Sequence, residues 1–159
     1  MSNFTHLNKA GKAIMVNVQK KLPSVRSAVA QCVIKTPPNV FNAVLDKKIE
    51  KGDIYSVIKV AGINGAKQTS NLIPLFHKLN LDCVSLEITP NKREYSFLIK
   101  SKVYTESKTG VEMEALSAVT IAGLTFYDMC KALSQDIILT DIKMLEKYGS
   151  KGGGFIKYN

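Results

Sequence analysis

The chain has few cysteines and histidines, and their spacing does not fit the common metal-binding and disulfide frameworks. The 159 residues include three cysteines, Cys32, Cys83 and Cys130, and two histidines, His6 and His77. The cysteines are scattered and never stand in a Cys-x-x-Cys spacing, so a zinc site or a set of disulfide bonds is not expected. We therefore expect three buried thiols and no metal centre.

Long apolar runs are also absent. No window of about 18 or more residues is uninterruptedly apolar, as a membrane-spanning helix requires. The first residues, MSNFTHLNKAGKAIMV, lack the apolar core and the small-residue cleavage site of a secretory signal. The segment KYGSKGGG at residues 147–154 lacks the GKS or GKT order of a phosphate-binding P-loop. We expect a cytoplasmic protein that has no membrane partner.

Basic residues, in contrast, are abundant. The chain has 22 Lys and Arg against 13 Asp and Glu, which gives a formal net charge of +9. This excess favours an anionic partner, which is a nucleic acid, a phosphorylated small molecule or an acidic surface. The basic residues are spread along the chain, so composition alone does not choose among these partners. The length suits one domain with a substantial core.

Hydrophobic periodicity predicts both strands and helices. The expected strands cover residues 27–36, 81–89, 94–104 and 137–144, and the expected helices cover residues 40–50, 54–70 and 109–131. Strands in antiparallel hairpins and helices in separate runs predict an α+β fold, with one antiparallel sheet covered by helices on one face.

Local signals add detail to this prediction. Asp53 suits the N-cap of the second helix, and residues 90–93 suit the turn between the second and third strands. Gly62 and Gly65 inside the second helix indicate either close packing or a simple bend. We expect residues 1–26 to form a mobile arm and residues 147–159 a mobile glycine-rich tail on the single domain.

The longest predicted helix, residues 109–131, carries its charges at its two ends. Residues three apart lie on one helix face within about 5–6 Å, so Asp128 and Lys131 can meet the same bound group. Glu112 and Glu114 point about 200° apart on a regular helix. These two carboxylates share a pocket only if the helix starts between them or if a neighbouring chain takes part. A packing helix with solvated ends fits the spacing equally well.

His77 is the other unusual residue, because it follows Pro74 on a short apolar stretch. A single histidine among apolar residues is more often a hydrogen-bonded core residue than a ligand. Its ring also binds a phosphate or the edge of a heterocycle in either charge state. The residues alone leave both interpretations open.

Several runs along the chain together resemble one family, the cyclic pyranopterin monophosphate synthases, which are the C proteins of molybdenum cofactor biosynthesis. The runs are FTHL at 4–7, MV-N-V at 15–18, KGD at 51–53, AGI and AK-x-TS within 61–70, LIPL-x-H at 72–77, TGVEMEAL at 109–116, YDM-x-K at 127–131, and Lys147, Gly149 and Lys151. They cover nearly the whole chain.

The resemblance implies an enzyme that converts (8S)-3′,8-cyclo-7,8-dihydroguanosine 5′-triphosphate to cyclic pyranopterin monophosphate and releases diphosphate. It also implies a ferredoxin-like α+β fold and a homohexamer, a trimer of dimers, with active sites between subunits. The implied partner is a nucleotide triphosphate and not a nucleic acid. This chemistry needs no redox cofactor and no metal cluster.

The resemblance also implies roles for individual residues. Asp128 matches the acid/base catalyst, and the charge of Lys131 beside it holds phosphate and modulates the acid. The positions that match triphosphate-binding residues, which stabilise the leaving diphosphate, are Lys51, Arg26, Lys147 and Lys67. The positions that match the nucleotide pocket are Leu75, Phe76, His77, Met113 and Glu114, with Glu112 near the ring that is opened.

Two alternatives belong to other functional classes. A non-catalytic paralogue is suggested by Phe76 and Lys78, because the family usually has Cys and Pro at these positions. A basic nucleotide- or RNA-binding module is suggested by the net charge of +9. Against that module, the second and third predicted strands lack the paired exposed aromatic residues that stack on RNA bases.

Overall fold

The computed structural model of the chain describes Leu7, residues 11–149 and residues 154–158. Its elements are β1 (Ser24–Lys35), α1 (Pro38–Leu45), α2 (Ile54–Leu72), β2 (Cys83–Asn91), β3 (Ser96–Ser107), α3 (Glu112–Cys130), β4 (Ile138–Tyr148) and β5 (Phe155–Lys157). The strands form one sheet in the order β2-β3-β1-β4-β5, and all neighbouring pairs are antiparallel. The predicted α+β fold with a ferredoxin-like antiparallel sheet is confirmed.

The core lies on one face of this sheet. Alternate side chains of a strand project to opposite faces, so every second residue of β1 points inward. The inward residues Ala28, Ala30, Cys32 and Ile34 are fully buried, whereas the residues between them are partly exposed. The helices cover the same face, because buried residues of α1, α2 and α3 form one apolar cluster with the inward residues of β1 and β3.

The two glycines of α2 allow this helix to pack closely. A Cβ atom at Gly65 would lie 2.8 Å from the Ile121 side chain and 3.1 Å from the backbone oxygen of Ser117, both on α3. A Cβ atom at Gly62 would overlap the Leu86 side chain of β2. The helix continues through both glycines. Close packing is therefore the explanation that the structure supports, and it offsets the cost of about 1 kcal/mol for each glycine in a helix interior.

Helix boundaries follow the local signals except at the end of the first helix and at the start of the third, which was predicted at residue 109 and lies at Glu112. Asp53 caps α2 as predicted, since its side chain accepts hydrogen bonds from the backbone N–H groups of Tyr55 and Ser56. The predicted first helix extended to residue 50, but α1 ends at Leu45. Soon after, Lys47 takes a φ of 55°, which an α-helix does not allow.

Several strand boundaries also differ from the prediction. The turn predicted at residues 90–93 lies at residues 92–95, and Pro90 belongs to β2. A proline is tolerated there because β2 is an edge strand of the sheet. β4 extends to Tyr148 and β1 begins at Ser24, so Lys147 and Arg26 lie in the sheet, not in the predicted tail and arm.

The predictions about the three thiols have mixed outcomes. Cys32 and Cys130 are buried, and burial raises the pKa of each thiol to about 11. The third thiol was expected to be buried, but Cys83 is exposed at the start of the edge strand. Lys151 lies outside the described residues. None of the helices in the described part of the chain is long and apolar enough to cross a membrane.

Candidate active site

Three charged side chains meet at the C-terminal end of α3, and we call them the Asp128 cluster (Lys51, Asp128 and Lys131). Lys131 Nζ lies 2.6 Å from Asp128 Oδ1, and Lys51 Nζ lies 3.4 Å from Asp128 Oδ2. Lys51 also donates a hydrogen bond to the backbone oxygen of Asp128 at 2.8 Å. The predicted proximity of Asp128 and Lys131 is confirmed, and Lys51 joins them from the loop before α2.

The two ammonium groups determine the charge state of this cluster. The hydrogen bond from Lys131, with a smaller contribution from Lys51, holds the pKa of Asp128 below its usual range. The carboxylate in turn raises the pKa of Lys131. At neutral pH the cluster therefore holds one anion between two cations. Between 47% and 58% of each side chain is exposed, so a bound molecule has access to all three.

A second set of charges lies at the N-terminal end of α3, and we call it the Glu112 cluster (Glu112, Glu114 and Lys147). Lys147 Nζ on β4 donates a hydrogen bond to Glu112 Oε1 at 3.2 Å. Gly110 leaves room for this pair, because a side chain there would overlap the Glu112 carboxylate. Burial lowers the pKa of Lys147, but hydrogen bonds with Tyr158 and Glu112 outweigh it and raise that pKa overall.

Glu114 has a different environment although it is only two residues away. Its side chain is 2% exposed, and its Oε2 has no hydrogen-bond partner among the described residues. Burial raises its pKa to about 7, and the nearby negative charge of Glu112 adds to the shift. α3 begins at Glu112, so both carboxylates lie in its first turn. Glu112 contacts Lys147, whereas Glu114 is enclosed in the interior.

Arg26 lies near Lys147 on the face of the sheet that the helices cover. Arg26 is two residues from buried Ala28 on β1, and Lys147 pairs with Ala28 across the sheet. A Cβ atom at Gly149 would lie 2.7 Å from Arg26 Cδ, and Gly149 takes a φ of 94°. The Nε of Arg26 is buried and has no partner among the described residues.

His77 ties two loops together. Its Nε2 lies 2.7 Å from the backbone oxygen of Val16. A carbonyl oxygen accepts only, so Nε2 carries the hydrogen and donates it. Lys108 holds the same N-terminal segment through a hydrogen bond to the backbone oxygen of Gln19 at 3.2 Å. Half-buried His77 therefore combines a structural contact with a position next to exposed Leu75 and half-buried Phe76.

The chain does not bring all the predicted site residues into one pocket. Lys67 is exposed on α2, in a shallow groove with Val60 and Asn64 that contains none of the other predicted residues. Met113 lines a separate apolar groove between α2 and α3. With a rise of about 1.5 Å per residue, the Glu112 and Asp128 clusters lie about 24 Å apart along α3. The chain therefore presents two charged clusters and not one compact site.

Sequence reasoning missed Tyr158, whose hydroxyl raises the pKa of Lys147. No sequence signal pointed to it, because the contact depends on the pairing of β5 with β4. As for metals, no group of three or more His, Cys, Asp or Glu side chains that could hold an ion occurs in the described ranges.

Comparison with known proteins gives concordant matches over almost the whole chain. The sequence model described as the MoaC family matches residues 15–150. A cyclic pyranopterin monophosphate synthase of Syntrophomonas wolfei is 48% identical over 155 residues, which are 98% of this chain and 99% of the relative. The protein of that name from Rhodospirillum rubrum is 46% identical over 150 residues, covering 94% of this chain and 90% of the relative. A mitochondrial cyclic pyranopterin monophosphate synthase of Arabidopsis thaliana is 48% identical over 155 residues, which are 98% of this chain and 57% of the relative.

Proposed function

The chain belongs to the MoaC family, and we propose that it is a cyclic pyranopterin monophosphate synthase of molybdenum cofactor biosynthesis. It converts (8S)-3′,8-cyclo-7,8-dihydroguanosine 5′-triphosphate to cyclic pyranopterin monophosphate and releases diphosphate. The observation that carries the proposal is the Asp128 cluster, an accessible carboxylate between two ammonium groups, in a chain nearly half identical to enzymes of that name.

The Asp128 cluster suits proton transfer in both directions. The lowered pKa of Asp128 keeps the carboxylate ionised at neutral pH, so it can accept a proton from the substrate. Lys131 contacts this carboxylate and can donate a proton from its ammonium group. Once Asp128 has accepted a proton and Lys131 has donated one, the charge of Lys51 leaves the cluster net positive, which favours an anionic substrate.

The cations near the other end of α3 suit the triphosphate. Lys147 and Arg26 share one face of the sheet, and the buried Arg26 Nε is without a partner among the described residues. Positioned cations act most strongly on the charge that develops on a leaving diphosphate. Before substrate binds, Glu112 neutralises part of the Lys147 charge, so a phosphate oxygen competes with this carboxylate. From the family resemblance we propose exposed Lys67 as a third cation for the same group, and Leu75, Phe76, His77 and Met113 as the lining of the nucleotide pocket.

We propose that two subunits complete each site within a homohexamer built as a trimer of dimers. The separation of the two clusters by about 24 Å along α3 supports this arrangement, because a second subunit can bring its Glu112 cluster to the Asp128 cluster of the first. Light scattering tests the assembly, and a monomer would contradict the proposal.

Mixed assemblies test the shared site directly. Asp128→Asn and Lys147→Ala each remove one half of the site, and each preparation should lose most of its activity. Co-expression of both variants should restore part of that activity, because some sites then combine two intact halves. If both halves belong to one subunit, the mixture stays as inactive as its components.

Turnover of the cyclised nucleotide tests the function itself. Wild type should form the pterin product and diphosphate, and Asp128→Asn should lose at least about 100-fold in rate. Glu87→Gln is the matched control, since Glu87 is exposed on the edge strand β2 and belongs to neither cluster. Full activity in Asp128→Asn would remove this residue from the chemistry, and absence of product from wild type would overturn the proposal.

No observation on the described residues favours a non-catalytic paralogue or an RNA-binding module. Phe76 and Lys78 differ from the usual family residues, but neither belongs to the Asp128 or the Glu112 cluster. We also propose a cytoplasmic location. It needs its own test, because one relative carries a mitochondrial name. Fractionation of cells that produce the full protein tests it.

A further inference from the structure

The last described residues form the short strand β5, which pairs with β4, and we call this pair of strands the C-terminal hairpin. β5 pairs with the end of β4 so that Lys147 lies opposite Ile156 and Glu146 lies opposite Lys157. The ladder continues one residue further, since the backbone N–H of Tyr158 donates to the oxygen of Leu145 at 2.8 Å. Tyr158 is therefore held at a defined position beside β4.

This pairing brings the Tyr158 side chain to Lys147. Directly opposed residues of two antiparallel strands project to the same face, so Ile156 and Lys147 share a face. Tyr158 is two residues beyond Ile156 and projects to that face too. Such diagonal neighbours lie about 7–8 Å apart, within reach of a tyrosine and a lysine. The two side chains are therefore neighbours on this face, and the Tyr158 hydroxyl raises the pKa of Lys147.

Lys147 thus has one partner on each side. Its ammonium group donates to Glu112 Oε1 on α3 and contacts the Tyr158 hydroxyl on the hairpin. An ammonium group has three N–H donors, so Lys147 can bind a phosphate oxygen while it keeps a contact with the protein. A free lysine side chain has rotamer entropy, which is lost when the side chain is fixed on a ligand. Two contacts that fix the chain beforehand reduce this loss at the binding step.

We propose that Tyr158 is a positioning residue, whose hydroxyl holds the Lys147 ammonium group between the C-terminal hairpin and α3 in the geometry that binds the substrate triphosphate. The proposal rests on the triphosphate-binding role of Lys147 in the proposed function. It adds to that role a contribution from the C-terminal hairpin. On substrate binding, Lys147 exchanges its contact with Glu112 for a phosphate oxygen, whereas Tyr158 keeps its contact with Lys147.

The test compares Tyr158→Phe with wild type and with Tyr148→Phe. The matched control Tyr148 is the neighbour of Lys147 on β4, so it projects to the opposite face, and it is 43% exposed. The first measurement follows acetylation of Lys147 against pH in the full protein without substrate, by peptide mass spectrometry. Because the Tyr158 contact raises the pKa of Lys147, Tyr158→Phe should move the acetylation profile to lower pH. Tyr148→Phe should leave it unchanged.

The second measurement separates positioning from a general loss of structure. Tyr158→Phe should raise KM for the cyclised nucleotide by about 3- to 10-fold, the loss expected for one hydrogen bond, with kcat little changed. An unchanged acetylation profile would overturn the contact, and a shifted profile with unchanged KM would overturn the positioning role. If wild type itself gives no turnover, the proposed function fails, whereas the acetylation profile still decides whether Tyr158 holds Lys147.

Discussion

The two ends of α3 carry the same kinds of side chain in opposite environments. At the C-terminal end, Asp128 is accessible to solvent, and two ammonium groups hold its pKa below the usual range. At the N-terminal end, Glu114 is 2% exposed, and burial raises its pKa to about 7. The comparison teaches that contacts and burial, not the residue type, decide which carboxyl group is an anion and which carries a proton near neutral pH.

The largest expected effect comes from removing the cation that contacts Asp128. Lys131→Ala should lower the rate of turnover by at least about 100-fold, because it removes the proton donor. The remaining activity should also fall at a higher pH than in wild type as the solution is made more acidic, since the pKa of Asp128 rises without Lys131. Rate measurements across pH test both effects. An acidic limb that does not move would contradict the coupling between the two groups.

The second effect concerns the buried carboxyl group. The pKa of Glu114 is about 7 in the folded protein against an ordinary 4.5. Between these values the folded protein holds more protons than the unfolded chain, so stability falls as pH rises through this window. The loss is on the order of 3 kcal/mol. In Glu114→Gln this contribution disappears, so the free energy of unfolding should fall less between pH 5 and pH 8 than it does in wild type.

Urea unfolding of the intact assembly at both pH values measures this difference. Glu87→Gln is a suitable control, because Glu87 is exposed on the edge strand β2. If Glu114→Gln and wild type lose the same stability between the two pH values, the carboxyl group does not carry its proton in the folded state.

The third effect lies at the turn beside Arg26. Gly149→Ala should destabilise the protein by about 2 kcal/mol or more, because φ is 94° and the new methyl group would overlap the backbone oxygen of Val25. Gly52→Ala separates the two causes, since Gly52 has a φ of 97° but no atom within 4 Å of an added Cβ. Thermal unfolding should show the smaller loss for Gly52→Ala. Equal losses would mean that the overlap at Gly149 is relieved without cost.

Local patterns predicted the features that depend on neighbours in sequence. Asp53 was recognisable as a cap because an N-cap contact spans only two or three residues. Asp128 and Lys131 were recognisable as a pair because a helix brings residues three apart together. The turn before β3 was predicted two residues too early, because proline usually marks a turn and the edge position of β2 was not apparent.

Features that depend on distant residues were not available to such reasoning. The contact of Lys51 with Asp128 spans 77 residues, and that of Lys147 with Glu112 spans 35. The burial of Glu114 depends on the residue at which α3 starts. The difference between buried Cys32 and exposed Cys83 depends on which strand lies in the centre of the sheet and which lies at its edge.

For this protein the sequence by itself determined the fold class, the long helix with charges at both ends, the Asp128–Lys131 pair and the resemblance to one family. These follow from periodicity, helix spacing and motifs, each of which is defined by residues that are close together in the sequence. Only the tertiary structure decided that Glu112 faces Lys147 while Glu114 is buried, and that Tyr158 reaches Lys147. The physical reason is that sheet register and helix packing bring together groups far apart in sequence.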